Sequence, residues 1–216
     1  RRRRGMITHV VKPVEFDPES QSPRVRAALE RVQSLESSRA AESSVELAGV
    51  LAQLKVDEDV LLAGLLVPLL EAGVLDDARA QDDFGEPAVR LAREVERVGG
   101  IGIPAEWNPG QPMKPDQAEG LRKLLLSLAS DVRLVLLRLA MQLVRMRNLK
   151  PATEKEQRWA ALETREIYAP LASRLGIWQV KWELEDLAFR YSEPVEYKRI
   201  AGWLKVKRTE RERYIE

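Results

Sequence analysis

The chain has no cysteine and a single histidine, His9, in 216 residues. Without cysteine there is no disulfide framework, and the cytosol is the expected compartment. Transition-metal sites draw on imidazole or thiolate, and catalytic zinc on two or three such ligands around one open position, which a lone histidine does not supply. Aromatic residues are scarce, at 6%. The longest apolar run, VLLAGLLVPLL from Val60 to Leu70, is bracketed by Asp59 and Glu71. It falls well short of the roughly 20 residues needed to cross a bilayer, so it reads as a buried core helix. No membrane partner is expected, and the amino terminus has no apolar stretch of the signal-peptide kind. Neither sign of charge dominates: 35 basic residues face 34 acidic ones, and leaving out Arg1 to Arg4 the count is 31 against 34, about −3. There is thus no strong nucleic-acid signal. The RRRRG start has no initiator methionine; it reads most simply as a solvated tail, with a trimmed or added end as the other reading. Walker loops, nucleophile elbows and histidine–carboxylate clusters are also missing.

What the chain does have is helix. Hydrophobic residues make up 44% and charged residues 32%, and the prevalence of Leu, Ala, Val, Glu and Arg suits a packed helical assembly rather than a sheet sandwich. Residues 1–21 carry no sustained periodicity and form an irregular lead-in. Ser22 followed by Pro23 predicts an N-cap with proline at the first helical position, and Val25, Ala28, Leu29, Val32 and Leu35 continue as an apolar stripe. A second helix is expected over Ser43 to Lys55 and a third from Asp57, with Pro68 kinking or breaking it. Glu86 to Val98 predicts another amphipathic helix. The stretch GGIGIPAEWNPGQPMKP, Gly99 to Pro115, interrupts all periodicity as a long loop. Helices resume over Gln117 to Ser130 and Asp131 to Leu149. Thr153 caps a further one that Pro170 should bend or end. Gly176 separates it from Trp178 to Tyr191, and a charged helical segment from Pro194 runs to Glu216 without a stop signal. Val67, Leu69, Leu70, Leu136, Leu139, Leu143 and Met146 are the expected core.

Chemistry-bearing clusters are few. Asp57, Glu58 and Asp59 offer carboxylates suited to magnesium, but three acids at a helix start are more simply read as matching the helix dipole. Arg138, Arg145 and Arg147, on or beside an apolar helix, are of the type that holds phosphate; a solvated or salt-bridged face is the simpler reading.

Three runs carry a resemblance: LAGLLVPLLEAGV (62–74), EGLRKLLLSLASDVRLVLLRLAMQLVRMRNL (119–149) and EIYAPLASRLGIWQVKWELEDLAFRY (166–191). They resemble the amino-terminal half of long RelA/SpoT-family proteins, the order IYAPLASRLGI then KWELEDLAF being the most distinctive. The resemblance spans about residues 43–216. It implies an all-α, HD-domain-like helical bundle over 22–150, followed over 151–216 by a helical connection into a synthetase domain outside this chain. Long members of that family pair a manganese-dependent HD hydrolase, which removes the 3′-diphosphate of (p)ppGpp, with a synthetase that transfers diphosphate from ATP to GTP or GDP.

Matched position by position, the resemblance puts the family's His-Asp pair on Val67 and Pro68 and its Glu-Asp pair on Glu71 and Ala72. The later aspartate falls on Met141, a nucleotide-contacting asparagine on Arg145, and the first histidine near Ser43; Asn148 completes the vestigial pocket. Val, Pro and Met offer no hard ligand, and one glutamate does not fill an octahedral shell. The expectation is therefore no catalytic residue, metal site or cofactor in this chain, as in the RelA branch, whose hydrolase-like domain no longer hydrolyses. The resemblance further implies a parent using magnesium with ATP and GTP or GDP. Its partners would be the synthetase domain in cis, and the ribosome with uncharged tRNA through regions absent here. Two rival readings are a divergent nucleotide phosphohydrolase using Glu71, Arg145, Arg147 and Asn148, and a free-standing helical interaction module.

Overall fold

The computed structural model describes residues 17–35, 39–99 and 131–213, and every regular element in them is helical. The expected loop over Gly99 to Pro115, apart from Gly99 itself, and the expected helix over Gln117 to Ser130 lie outside the described residues, as does His9. The chain divides into two compact units, Arg1–Glu96 and Arg97–Glu216.

In the first unit, a 3₁₀ turn at Pro18–Ser20 leads into α1, Pro23–Ser34. Ser22 caps α1 as expected: its Oγ accepts from the Val25 N–H at 3.2 Å, and Val25, Ala28, Leu29 and Val32 form the buried stripe. Helix α2, Arg39–Gln53, starts one turn earlier than Ser43, because Ala41 extends its buried face. Asp57 caps α3, Glu58–Glu71, by accepting from the Val60 N–H at 3.0 Å. Val60 to Val67, Leu69 and Leu70 are all buried, so α3 is apolar all round and is the core of this unit. Gly64 makes its close contact with α2 possible, since a Cβ there would collide with Leu51. Pro68 does not end α3. It removes one bond near the carboxy-terminal end, and three more residues follow before a Schellman turn at Gly73, φ +67°, in which the Val74 N–H donates to Leu69 O at 2.9 Å and the Gly73 N–H to Leu70 O at 3.0 Å.

Helix α4, Asp77–Phe84, has no counterpart in the sequence reading. Its pattern is obscured by Asp77, Arg79, Asp82 and Asp83, and only Ala80 and Phe84 are buried. Tertiary bonds hold it in place: Arg24 donates to Phe84 O at 2.9 Å while reaching Glu58 and Asp59 of α3, and Arg31 pairs with Asp83 at 2.8 Å. Helix α5, Glu86–Gly99, follows the turn at Gly85 and buries Ala88, Val89, Leu91, Ala92 and Val95.

In the second unit, Asp131 caps α6, Val132–Arg147. Thr153 and Glu156 form a reciprocal capping box at the start of α7, Glu154–Glu163. The chain then continues without a break through a π-helical turn, Thr164–Tyr168, into α8, Ala169–Arg174. The stop expected at Pro170 does not occur. Ala169 bonds back to Thr164 O, five residues away, so the ladder has already shifted register where Pro170 offers no donor. Gly176, φ +73°, closes α8 in a second Schellman turn, with Ile177 N–H on Ala172 O at 2.9 Å. Helix α9, Trp178–Ser192, packs on α6, α7, α8 and the π turn, and α10, Pro194–Arg213, folds back on α9. Of the expected core residues, Val67, Leu69, Leu70, Leu139, Leu143 and Met146 are buried, whereas Leu136 is half-buried.

Candidate functional site

The positions to which the resemblance assigns hydrolase chemistry fall on α2 and α3 in the first unit and on α6 in the second. On α3, Val67 lies wholly inside the apolar core and Pro68 is half-buried beside it. One turn later Glu71 and Ala72 are exposed at the helix end. A carboxylate there faces the negative end of the helix dipole, a placement that helix energetics disfavours and a bound cation would reverse. On α2, Ser43 is half-buried; its neighbour Ser44 is fully buried, with its Oγ lacking any hydrogen-bond partner.

A hard divalent cation does not fit this donor set. The first unit presents an isopropyl group at Val67, a proline ring without a donor, one exposed carboxylate and a serine hydroxyl, where six oxygen or nitrogen ligands are wanted. Among the described residues no group of three or more His, Asp and Glu side chains stands close enough to hold a metal. Asp57, Glu58 and Asp59 are otherwise engaged: Asp57 caps α3, Glu58 takes hydrogen bonds from Ser22 and Arg24, and Asp59 one from Arg24 at 3.0 Å. The Ser22 hydroxyl first, and Arg24 with it, holds the Glu58 carboxyl below its ordinary value.

On α6 the replaced positions are polar or adaptable rather than sealed. Met141 is half-buried. Arg138, Gln142 and Arg145, spaced i, i+4 and i+7, line one face and each finds a partner on α7 or the π turn. Arg145 Nη1 reaches Glu163 Oε2 at 2.8 Å, Gln142 Nε2 donates to Thr164 Oγ1 at 2.8 Å, and Arg138 Nη2 donates to the Tyr168 hydroxyl at 2.7 Å. Thr164 in turn donates to Ala160 O at 2.7 Å, so the buried hydroxyl is used in both directions. Burial pushes the Tyr168 phenol up, against the pull of Arg138, whose guanidinium also stands 6.0 Å from the ring centre. The Arg138 Nε is buried without a partner. Arg147 makes a two-pronged bond to Glu183 of α9 at 2.6 and 2.9 Å. Asn148 ends α6 as its C-cap, and its side-chain amide donates to Val144 O at 3.0 Å.

Of the three arginines read from sequence as a salt-bridged or phosphate-holding face, Arg145 and Arg147 are salt-bridged, to Glu163 and Glu183, while Arg138 donates to the neutral Tyr168 hydroxyl. The sequence reading missed the acceptors Glu163, Thr164, Tyr168 and Glu183. The available signal was Gln142, an amide in the middle of a leucine-rich helix, which demands a buried partner.

The HD-domain family profile matches residues 24–178 of this chain. The chain is similar to the GTP pyrophosphokinase of Escherichia coli K12, 41% identical over 172 residues, which cover 80% of this chain and 23% of that protein. It is 38% identical over 170 residues to the GTP pyrophosphokinase of Photobacterium angustum, covering 79% and 23%. It is also 37% identical over 172 residues to the probable guanosine-3′,5′-bis(diphosphate) 3′-pyrophosphohydrolase of Synechocystis, covering 80% and 22%. The chain thus spans less than a quarter of the length of the curated relatives it matches.

Proposed function

The chain belongs to the HD-domain family, in a form consistent with the amino-terminal HD region of RelA/SpoT proteins, and from that premise we propose that it is a catalytically inactive, (p)ppGpp-hydrolase-like regulatory region of a GTP pyrophosphokinase. The relatives carry both synthetase and hydrolase names, so the choice rests on the site. Val67 carries it: an apolar side chain packed into the core stands where the resemblance puts a metal-binding histidine. Hydrolysis of this type needs a bound metal to generate hydroxide near neutral pH, and no side chain here substitutes for that role. Met141 stands where the resemblance puts the later aspartate, and Arg145 answers Glu163 instead of a nucleotide.

The parent protein transfers diphosphate from ATP to GTP or GDP with magnesium at a synthetase site outside these residues, in the stringent response. It works in the cytoplasm, with the ribosome and uncharged tRNA engaged by other regions. Residues 151–216 are the helical connection to the synthetase. Among the described residues, no helix is long and apolar enough to cross a membrane.

The test is calorimetric titration of the purified chain with manganese, paired with an assay of 3′-diphosphate release from ppGpp. Neither binding at one equivalent nor release above a no-protein control is expected. Stoichiometric binding with turnover would reinstate the divergent phosphohydrolase.

A further inference from the structure

Arg145 and Arg147 of α6 meet carboxylates, Glu163 and Glu183. Arg138, on the same helix, does not: among the described residues it has no ion-pair partner, and its one hydrogen bond runs from Nη2 to the Tyr168 hydroxyl at 2.7 Å. Nε and Nη2 form the two-pronged edge with which a guanidinium grips two oxygens of a carboxylate or a phosphate. Here one prong holds a single neutral oxygen, and the other, Nε, is shut off from water with nothing to donate to. An unsatisfied N–H on a charged group is among the costlier things a fold keeps.

The shortage of acceptors extends to Tyr168. The residue is buried, its oxygen takes the Arg138 bond, and among the described residues its own O–H proton has no acceptor. It does not supply the missing charge either: burial, the largest influence, pushes the phenol up, so it is neutral near pH 7. The neighbouring polar groups are already used. Glu163 is held by Arg145 at 2.8 Å, and Thr164 Oγ1 accepts from Gln142 and donates to Ala160 O. The cluster thus carries one uncompensated positive charge and two donors without acceptors. The backbone points the same way, because Thr164 and Tyr168, whose hydroxyls both meet α6, are the two ends of the π turn, and single π turns recur at functional sites.

We propose that Arg138 Nε and the Tyr168 hydroxyl form a site for one small oxyanion of the phosphate kind, at the junction of α6 and the π turn. The anion accepts from both donors and brings the negative charge that the protein leaves out; a water molecule would supply the acceptor without the charge. Arg138 is only half-buried, which gives the anion its way in. The site uses none of the replaced positions Val67, Pro68, Ala72 and Met141, needs no metal, and does not depend on the regulatory-region reading.

Isothermal titration of the purified chain with inorganic phosphate, at constant ionic strength, tests this. One equivalent should bind saturably. Tyr168→Phe keeps the buried ring and removes only the hydroxyl, so it should weaken binding about tenfold, the loss of one charge-assisted hydrogen bond. Arg138→Gln should abolish binding, and Lys150→Gln, at an exposed cation outside the cluster, should leave it unchanged. Wild-type affinity in Tyr168→Phe overturns the proposal by marking an adventitious ion only. Absence of saturable binding to the unaltered chain overturns it in favour of water, and acetate bound in preference to phosphate overturns it in favour of a carboxylate side chain.

Discussion

Helices α3 and α6 both carry positions at which the resemblance assigns catalytic groups, and the residues that stand there are accommodated in opposite ways. In α3 the interior is wholly apolar: Val60 to Val67, Leu69 and Leu70 are buried, and charge is confined to its two ends. In α6 the apolar stripe survives, yet Arg138, Gln142 and Arg145 project from its other face into partners on α7 and the π turn. The difference teaches that a helix position can be occupied either by packing an apolar side chain into the core or by cross-linking a polar one to a neighbouring helix. Filling suits a residue inside the core, where an unpaired ligand costs several kcal/mol. Cross-linking by Arg138 and Arg145 suits the half-exposed part of the face, where a charge-assisted bond contributes without full desolvation, while the buried Gln142 amide relies on Thr164.

The comparison breaks most visibly at Val67. Val67→Asp should destabilise the chain by about 4 kcal/mol or more, because it buries a charge with no partner. Urea unfolding measures this, and a loss below about 1 kcal/mol, within the range of ordinary substitutions, would mean that the site is open to water or already polar. Next in size, Leu66→Ala in α3 and Leu139→Ala in α6 should cost alike, about 2–5 kcal/mol each, since both side chains are fully buried. A marked inequality would show that one helix collapses around its cavity and the other does not.

The cross-links predict an asymmetry. Thr164→Val leaves the buried Gln142 amide without its acceptor and should cost about 1–3 kcal/mol. Gln142→Leu should cost less, because Thr164 keeps its bond to Ala160 O, and the double variant Gln142→Leu, Thr164→Val should be milder than the sum of the two. Strict additivity in thermal unfolding would deny that the pair acts together.

The smallest effect concerns the charged end of α3. Ser22→Ala removes an N-cap and should cost about 1 kcal/mol at neutral pH. The Ser22 hydroxyl, ahead of Arg24, also holds the Glu58 carboxyl below its ordinary value of 4.5, so the part of the stability that Glu58 contributes is present above that pH and is lost as pH falls through the depressed folded value. The gap between wild type and Ser22→Ala should therefore narrow below pH 4.5. A gap that widens on acidification in a pH series of melts would reverse the assigned sign.

Several of these features were legible in the sequence because their causes are local. Ser22, Asp57 and Thr153 announce helix starts through bonds to a backbone N–H three residues on. Gly176 announces a stop through the left-handed conformation that glycine takes without strain. The apolar periodicity of α3 and α6 gave most of the buried residues, and the run from Ile167 to Phe189 gave the family. What the local reading misjudged were the cases in which packing overrules it. Pro68 and Pro170 do not end the helical segments they sit in, the highly charged Asp77–Phe84 forms a helix because Arg24 and Arg31 hold it, and Leu136 remains half-exposed.

The sequence by itself determined that the chain is all-helical, where most of its helices begin and end, and that hard ligands are missing at Val67, Pro68, Ala72 and Met141. Only the tertiary structure decided which acceptors the arginines meet and which tryptophans stay exposed. Arg145 meets Glu163 across 18 residues of chain, Gln142 meets Thr164 across 22, Arg138 meets Tyr168 across 30 and Arg147 meets Glu183 across 36. Caps and periodicity are written within a turn or two of helix, whereas the partner of a long polar side chain, or the bareness of an indole, depends on which distant segment packing brings against it.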